Sequence, residues 1–206
     1  MAMVCAGINE PARTEFAAHL REHRGMDLDR FLRDTIDIAE IGPDYVGPQL
    51  PAGSDYWGVG RTTVRQAAGG EYDEIIHYPL QQAESVADLT HHRWPDPDWF
   101  DYQGIPRKIE LLLEQRERAL MTLNGNIFES SWYMRGMDTM MMDFALNPGM
   151  AHAIAERVTS FFLEYFDRIL AAAGGEIDLV FTADDLGGQN GLLLSRAMWE
   201  EFIKPY

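Results

Sequence analysis

Apolar residues recur at helical spacing through the second half of the chain. Ile154, Val158, Phe161, Phe162, Tyr165, Ile169 and Leu170 form a broad stripe that predicts a long helix over 150–173, laid against a sheet. Ile109, Leu112 and Leu113 predict a shorter helix over 105–118 in the same way. Two compact apolar runs, 119–123 and 177–181, read instead as strands buried in a parallel sheet. Asn124-Gly125-Asn126 follows the first run and opens a helix over 127–134, and a methionine-rich helix over 137–146 comes next. Asn147-Pro148-Gly149 separates that helix from the long one, and Gly174-Gly175 ends the long one. After the second strand come Asp184 and Asp185, a glycine-rich turn, and Ser195 as N-cap of a helix over 196–203. Strands alternating with helices at this spacing predict parallel βα units.

The first half is less regular. A helix from about Pro11 to His23 ends at Gly25, and a second covers 27–34. Residues 35–50 carry Gly42-Pro43-Asp44 and Gly47-Pro48 and read mostly as loop. Between Ser54 and Tyr78, two extended runs split at Gly69-Gly70 predict an antiparallel hairpin outside the main sheet. A short helix over 84–91 carries Ser85 as N-cap with Asp88 three residues on. It leads into an aromatic proline loop, Trp94-Pro95-Asp96-Pro97-Asp98-Trp99-Phe100.

The 206 residues suffice for one domain, taken as 1–206, with a sizeable core. A formal net charge of −16 disfavours attachment to nucleic acid or an anionic membrane. No stretch approaches the ~18 apolar residues of a membrane helix, and the N-terminus has no signal-peptide pattern, so a cytoplasmic location is expected. A lone cysteine, Cys5, excludes internal disulfides and multi-cysteine metal sites within this chain.

The adjacent carboxylates at the end of the second strand carry the candidate chemistry. Ligands bind past the carboxyl ends of parallel strands, and buried charges there need a partner. Asp184 and Asp185 therefore read as catalytic or substrate-orienting groups, with acceptance of backbone N–H groups from the glycine turn as the alternative. Gln189 and Asn190 in the same loop are candidate substrate-binding residues, as are Trp132 and Arg135 after the first strand. Arg135 could pair with a substrate carboxylate or form a surface salt bridge, and the methionines could line a pocket or fill core space. His77, His91 and His92 read as ordinary strand or surface residues.

The string D-D-x-G-G-Q-x-G-x-L-x-S followed by M-W-x-x-F-I-K-P-Y resembles the uroporphyrinogen decarboxylase (URO-D) superfamily. Leu194, Ser195, Trp199, Phe202, Pro205 and Tyr206 match its closing pattern. P-L-x-x-x-E-S-V-x-D-L and W-P-D-P-D-W-F-D-Y resemble a stretch common in its methyltransferase-like branch. Gly125, Phe128, Tyr133 and Gly136 stand at the places of a further motif, with Ile127 at its proline position, and the resemblance makes Tyr133 the active-site tyrosine.

The resemblance implies a (β/α)8 TIM-barrel type of α/β fold. About 250 residues are typical of such a barrel, and four strands are counted here, so the expectation is an incomplete barrel, the N-terminal part of a longer protein. It also implies an enzyme transferring a methyl group between a corrinoid protein or other carrier and a thiol. Zinc would then be held by His-x-Cys and a later Cys that this segment does not contain. Uroporphyrinogen decarboxylase and an inactive fragment or interaction module are the alternatives. The decarboxylase branch uses an arginine-rich motif that Arg65-Gln66-Ala67-Ala68-Gly69 matches only superficially. A small-molecule substrate is expected, and the oligomeric state, homo-oligomers included, stays open.

Overall fold

A computed structural model describes residues 8–67 and 70–206, so Cys5, Ala68 and Gly69 lie outside the described residues. Two helices lead in. α1 (Ala12–Arg24) ends at Gly25 in the left-handed conformation, and α2 (Leu28–Thr35) is capped by Asp27, whose carboxylate accepts the Arg30 N–H at 2.8 Å.

β1 (Ile38–Glu40) follows directly, in a segment whose glycine and proline content predicts loop. It is the first strand of the parallel sheet. Its three residues are too few to show a period, and Gly42-Pro43 follow at once. An excursion then runs from residue 41 to 104. It contains β2 (Asp44–Tyr45), the hairpin β3 (Gly60–Arg65) and β4 (Glu71–His77), two 3₁₀ turns, and β5 (Phe100–Asp101). β3 and β4 pair antiparallel as expected, with a register shift at Gly60/Arg61, and β2 pairs antiparallel with β5. The expected helix over 84–91 is a 3₁₀ turn (Val86–His91), where the Asp88 carboxylate takes the Ser85 N–H at 2.8 Å.

The chain returns through α3 (Ile105–Gln115) to β6 (Ala119–Leu123), then α4 (Ile127–Arg135), α5 (Met137–Leu146) and α6 (Pro148–Ala173). β7 (Leu179–Phe181), the small hairpin β8 (Gly187–Gly188) and β9 (Gly191–Leu192), and α7 (Arg196–Phe202) complete it. The sheet order is β1-β6-β7, with both pairings parallel. Among the described residues the fold is mixed α/β with a three-stranded parallel sheet, and the other extended segments pair in separate two-stranded ribbons. No helix among the described residues is long and apolar enough to cross a membrane.

α6 carries the core. Its stripe, including Ile154, Val158, Phe161 and Ile169, packs on Ala39 and Ile41 around β1, Leu120 of β6, and Ile105 and Ile109 of α3. A second cluster joins Phe128 of α4, Met140 and Phe144 of α5, and Phe202 and Ile203 at α7. The methionines fill core space: Met140 is buried, Met137 and Met141 pack against the second cluster, and Met142 faces solvent.

β7 departs from expectation. Its apolar triplet predicts a buried strand, yet Leu179, Val180 and Phe181 are 43, 48 and 53% exposed. β7 is an edge: β6 pairs with one side, and no described strand covers the other. Strands apolar on both faces belong to sheet interiors, so this edge has the composition of an interior strand without its neighbours.

Candidate functional site

The loops leaving the carboxyl ends of β6 and β7 meet. After β6 the backbone turns through Asn124 (φ 142°) and Gly125 (φ 86°), and the Asn124 N–H bonds the Phe181 carbonyl at 3.2 Å. A Cβ on Gly125 would lie 3.0 Å from Phe166 Cε2 and 3.1 Å from Thr182 Cγ2, so glycine serves both the dihedral and the close approach. This turn aims the start of α4 at the loop after β7.

Asp184 receives that helix. Its Oδ2 accepts the Phe128 N–H at 3.0 Å and its Oδ1 the Glu129 N–H at 2.9 Å. The carboxylate thus caps α4 from more than fifty residues away and occupies the positive end of its dipole. Burial pushes the Asp184 pKa up, and outweighs the backbone N–H groups of Glu129 and Phe128 that pull it down. Asp185 behaves differently. It is exposed and accepts the Gly187 N–H at 3.2 Å, a local turn contact.

One turn into α4, Glu129 gathers two donors. Its Oε1 accepts the Tyr133 hydroxyl at 2.8 Å and its Oε2 accepts Asn126 Nδ2 at 2.6 Å. The Tyr133 phenol is pushed up to about 12, by burial first and by the Glu129 carboxylate second, so it stays a protonated donor at neutral pH. Arg61, from the hairpin, lies over the ring with Cζ 5.2 Å from its centroid and is ion-paired with Asp55. A half-buried cluster of Asp184, Glu129, Tyr133, Asn126 and Arg61 therefore sits where the β6 and β7 loops converge. Behind Asp184, a cavity of about 410 Å³ opens between α6 and α7, with Thr182, Phe166, Trp199 and Lys204 in its walls.

The sequence-derived site residues divide. Asp184 and Tyr133 come together, through Glu129. Trp132 lies edge-on to Tyr133, with ring centroids 4.3 Å apart, and packs against the second core, its buried Nε1 without a hydrogen-bond partner among the described residues. Gln189 and Asn190 form the exposed tip of the β8–β9 turn and line no wall of the cavity behind Asp184. Arg135 lies apart from this cluster. It is 4% exposed, bonded through Nε to Asp143 Oδ2 at 2.7 Å and through Nη1 to the carbonyls of Leu80 at 2.5 Å and Ala83 at 2.8 Å. Those partners engage Nε and Nη1, and the salt bridge is buried rather than superficial. Glu129 and Arg61 were missed. The E-x-x-x-Y spacing of Glu129 and Tyr133, one helical turn, is the signal that could have found the first. Nothing local marks Arg61.

Among the described residues, no group of three or more His, Cys, Asp or Glu side chains could hold a metal ion.

No family model matches the chain, and no curated protein matches it in sequence. Among solved structures, it is similar to a methyltransferase from Methanosarcina mazei, at a TM-score of 0.50 and 13% identity. The match covers 96% of this chain and 51% of that one, so the chain spans about half the length of the structure it matches, and the likeness is one of fold.

Proposed function

We propose that this chain forms the substrate-orienting half of a methyltransferase of the URO-D type, passing a methyl group between a carrier such as a corrinoid and a thiol. The observation that carries the reading is the Asp184–α4–Glu129–Tyr133 constellation at the carboxyl ends of β6 and β7, the face on which such folds bind ligands. The similarity of fold to a named methyltransferase supports the class of reaction, as does the sequence resemblance.

Within this reading Asp184 is a positioning residue, because each of its oxygens is bonded to the backbone of α4. Glu129 and Tyr133 face the substrate: the carboxylate accepts the thiol proton, and the phenol, whose single O–H is given to Glu129 Oε1, holds that carboxylate in place. Arg61 closes the cluster from the hairpin side. No step is assigned to zinc.

The test is methyl transfer from methylcobalamin to a small thiol, followed by the corrinoid's visible spectrum with purified protein. Glu129→Gln and Tyr133→Phe are expected to slow turnover by on the order of a hundredfold while retaining the fold. Absence of protein-dependent transfer, or the native rate in both variants, overturns the reading.

A further inference from the structure

The excursion between β1 and α3 contains a second cavity, of about 490 Å³, that shares no wall with the one behind Asp184. Its size falls within the ~300–1,000 Å³ typical of small-molecule sites. Tyr45, Tyr56 and Trp99 line it. Tyr45 and Tyr56 lie nearly parallel, 6.5 Å apart at 16°, and Trp99 stands edge-on to Tyr45 at 6.3 Å. These walls are fixed in advance. The Tyr45 hydroxyl bonds the Pro48 carbonyl at 2.7 Å, and a Cβ on Gly47 would fall 2.6 Å from Trp99 Cβ, so the strap between them has no slack.

The charges at this cavity are uneven. Asp55 is neutralised within the chain, its Oδ1 taking the Trp57 and Val59 N–H groups at 2.9 and 3.1 Å and its Oδ2 pairing with Arg61. Arg93 also lines the cavity, and its guanidinium lies 5.0 Å from the Trp99 ring centroid. Among the described residues no carboxylate pairs with it. Its charge is therefore open to an anion that enters the cavity. In the same wall, His92 adds a buried Nε2 with no hydrogen-bond partner among the described residues.

We propose that this cavity is a binding site for a planar aromatic or heteroaromatic acid, its ring held among Tyr45, Tyr56 and Trp99 and its anionic group on Arg93. The aromatic walls select a flat apolar body. Arg93 selects against a neutral or cationic relative, because it already occupies a face of Trp99 and lacks an anion. The inference is independent of methyl transfer.

The experiment is calorimetric titration of the protein with 2-naphthoate and with neutral 2-naphthylmethanol. One saturable naphthoate site is expected. Arg93→Gln should weaken naphthoate about tenfold and leave the alcohol unchanged, since Arg93 is exposed and its loss removes one charge-assisted contact. Phe181→Lys, on the apolar β7 edge, is the control for adventitious binding there and should change neither ligand. No saturable naphthoate binding, equal affinity in Arg93→Gln, or loss of binding in Phe181→Lys overturns the proposal.

Discussion

Replacing Arg135 with methionine separates a structural arginine from a substrate-binding one. In the fold its guanidinium spans Asp143 of α5 and the carbonyls of residues 80 and 83, tying the excursion after β1 to the helices after β6. Methionine keeps most of the side-chain volume but leaves the Asp143 carboxylate, 6% exposed, with no other side-chain partner among the described residues. Breaking one member of a buried pair costs about 3–5 kcal/mol. The abandoned carbonyls place Arg135→Met toward the upper end. Asp143→Leu should cost less, about 2–3 kcal/mol, because the arginine retains its carbonyl acceptors.

The double variant should then cost less than the sum of the singles by about 2 kcal/mol or more, since an apolar pair removes the stranded charge. Urea denaturation followed by circular dichroism measures all four corners of this cycle. For a chain of this length, each kcal/mol corresponds to about 2–4 °C in Tm, so Arg135→Met should melt roughly 8–20 °C early. A loss below about 0.5 kcal/mol, the behaviour of an exposed ion pair, would refute the buried-tether account. So would additivity of the two single variants.

Asp184→Ala removes two acceptors from the start of α4 and should cost about 1.5–3 kcal/mol. Asp184→Asn should cost less, about 1–2 kcal/mol, because it sheds a charge that burial disfavours but its amide NH2 meets one of the two backbone N–H groups. The raised pKa fixes the sign of a pH effect: relative to Asp184→Asn, the native protein should lose stability as pH rises from 3.8 through the elevated value, which denaturation midpoints would show. His92 acts in the opposite direction. Burial lowers it from 6.5 to about 4, so stability should fall as pH drops through that interval, by on the order of 1–2 kcal/mol after allowance for partial exposure. His92→Phe should flatten that segment of the profile, and an unchanged slope would remove the residue from the account. On the β7 edge, Phe181→Lys should cost less than about 1 kcal/mol in urea and reduce light scattering, because the side chain is already 53% exposed.

Legibility followed the range of the interactions. The stripe of α6 and the apolar run of β6 are periodic or compact within a few residues, and both lie where the pattern puts them. Ser195 caps α7 as expected, its hydroxyl accepting the Met198 N–H at 3.2 Å. β1 escaped because three residues beside Gly42-Pro43 carry no period. The exposure of β7 escaped because apolar composition reports what a strand would bury, whereas burial depends on neighbours that the described residues do not provide. Arg135 escaped because its partners at residues 80–83 are more than fifty positions away. No local pattern encodes that loop's approach.

The same distinction bears on how the candidate site works. Glu129 and Tyr133 hold their mutual geometry through one helical turn, so α4 alone defines their 2.8 Å bond. Where that pair points is another matter. It depends on Asp184 at the start of α4 and on Arg135 at its end, each fastened to a different part of the chain. A substitution at Asp184 should therefore loosen the aim of Tyr133 without touching its bond to Glu129. Such loosening appears as a lower kcat, with a smaller downward shift of the Tyr133 phenol than loss of Glu129 gives, since the Asp184 charge is the last of the causes that raise it. Removing Glu129 should instead lower the Tyr133 pKa, because the carboxylate that raises it is gone. The two variants thus separate aim from chemistry. If Asp184→Asn shifted the phenol as much as Glu129→Gln does, the aspartate would belong among the groups that touch substrate rather than beneath them.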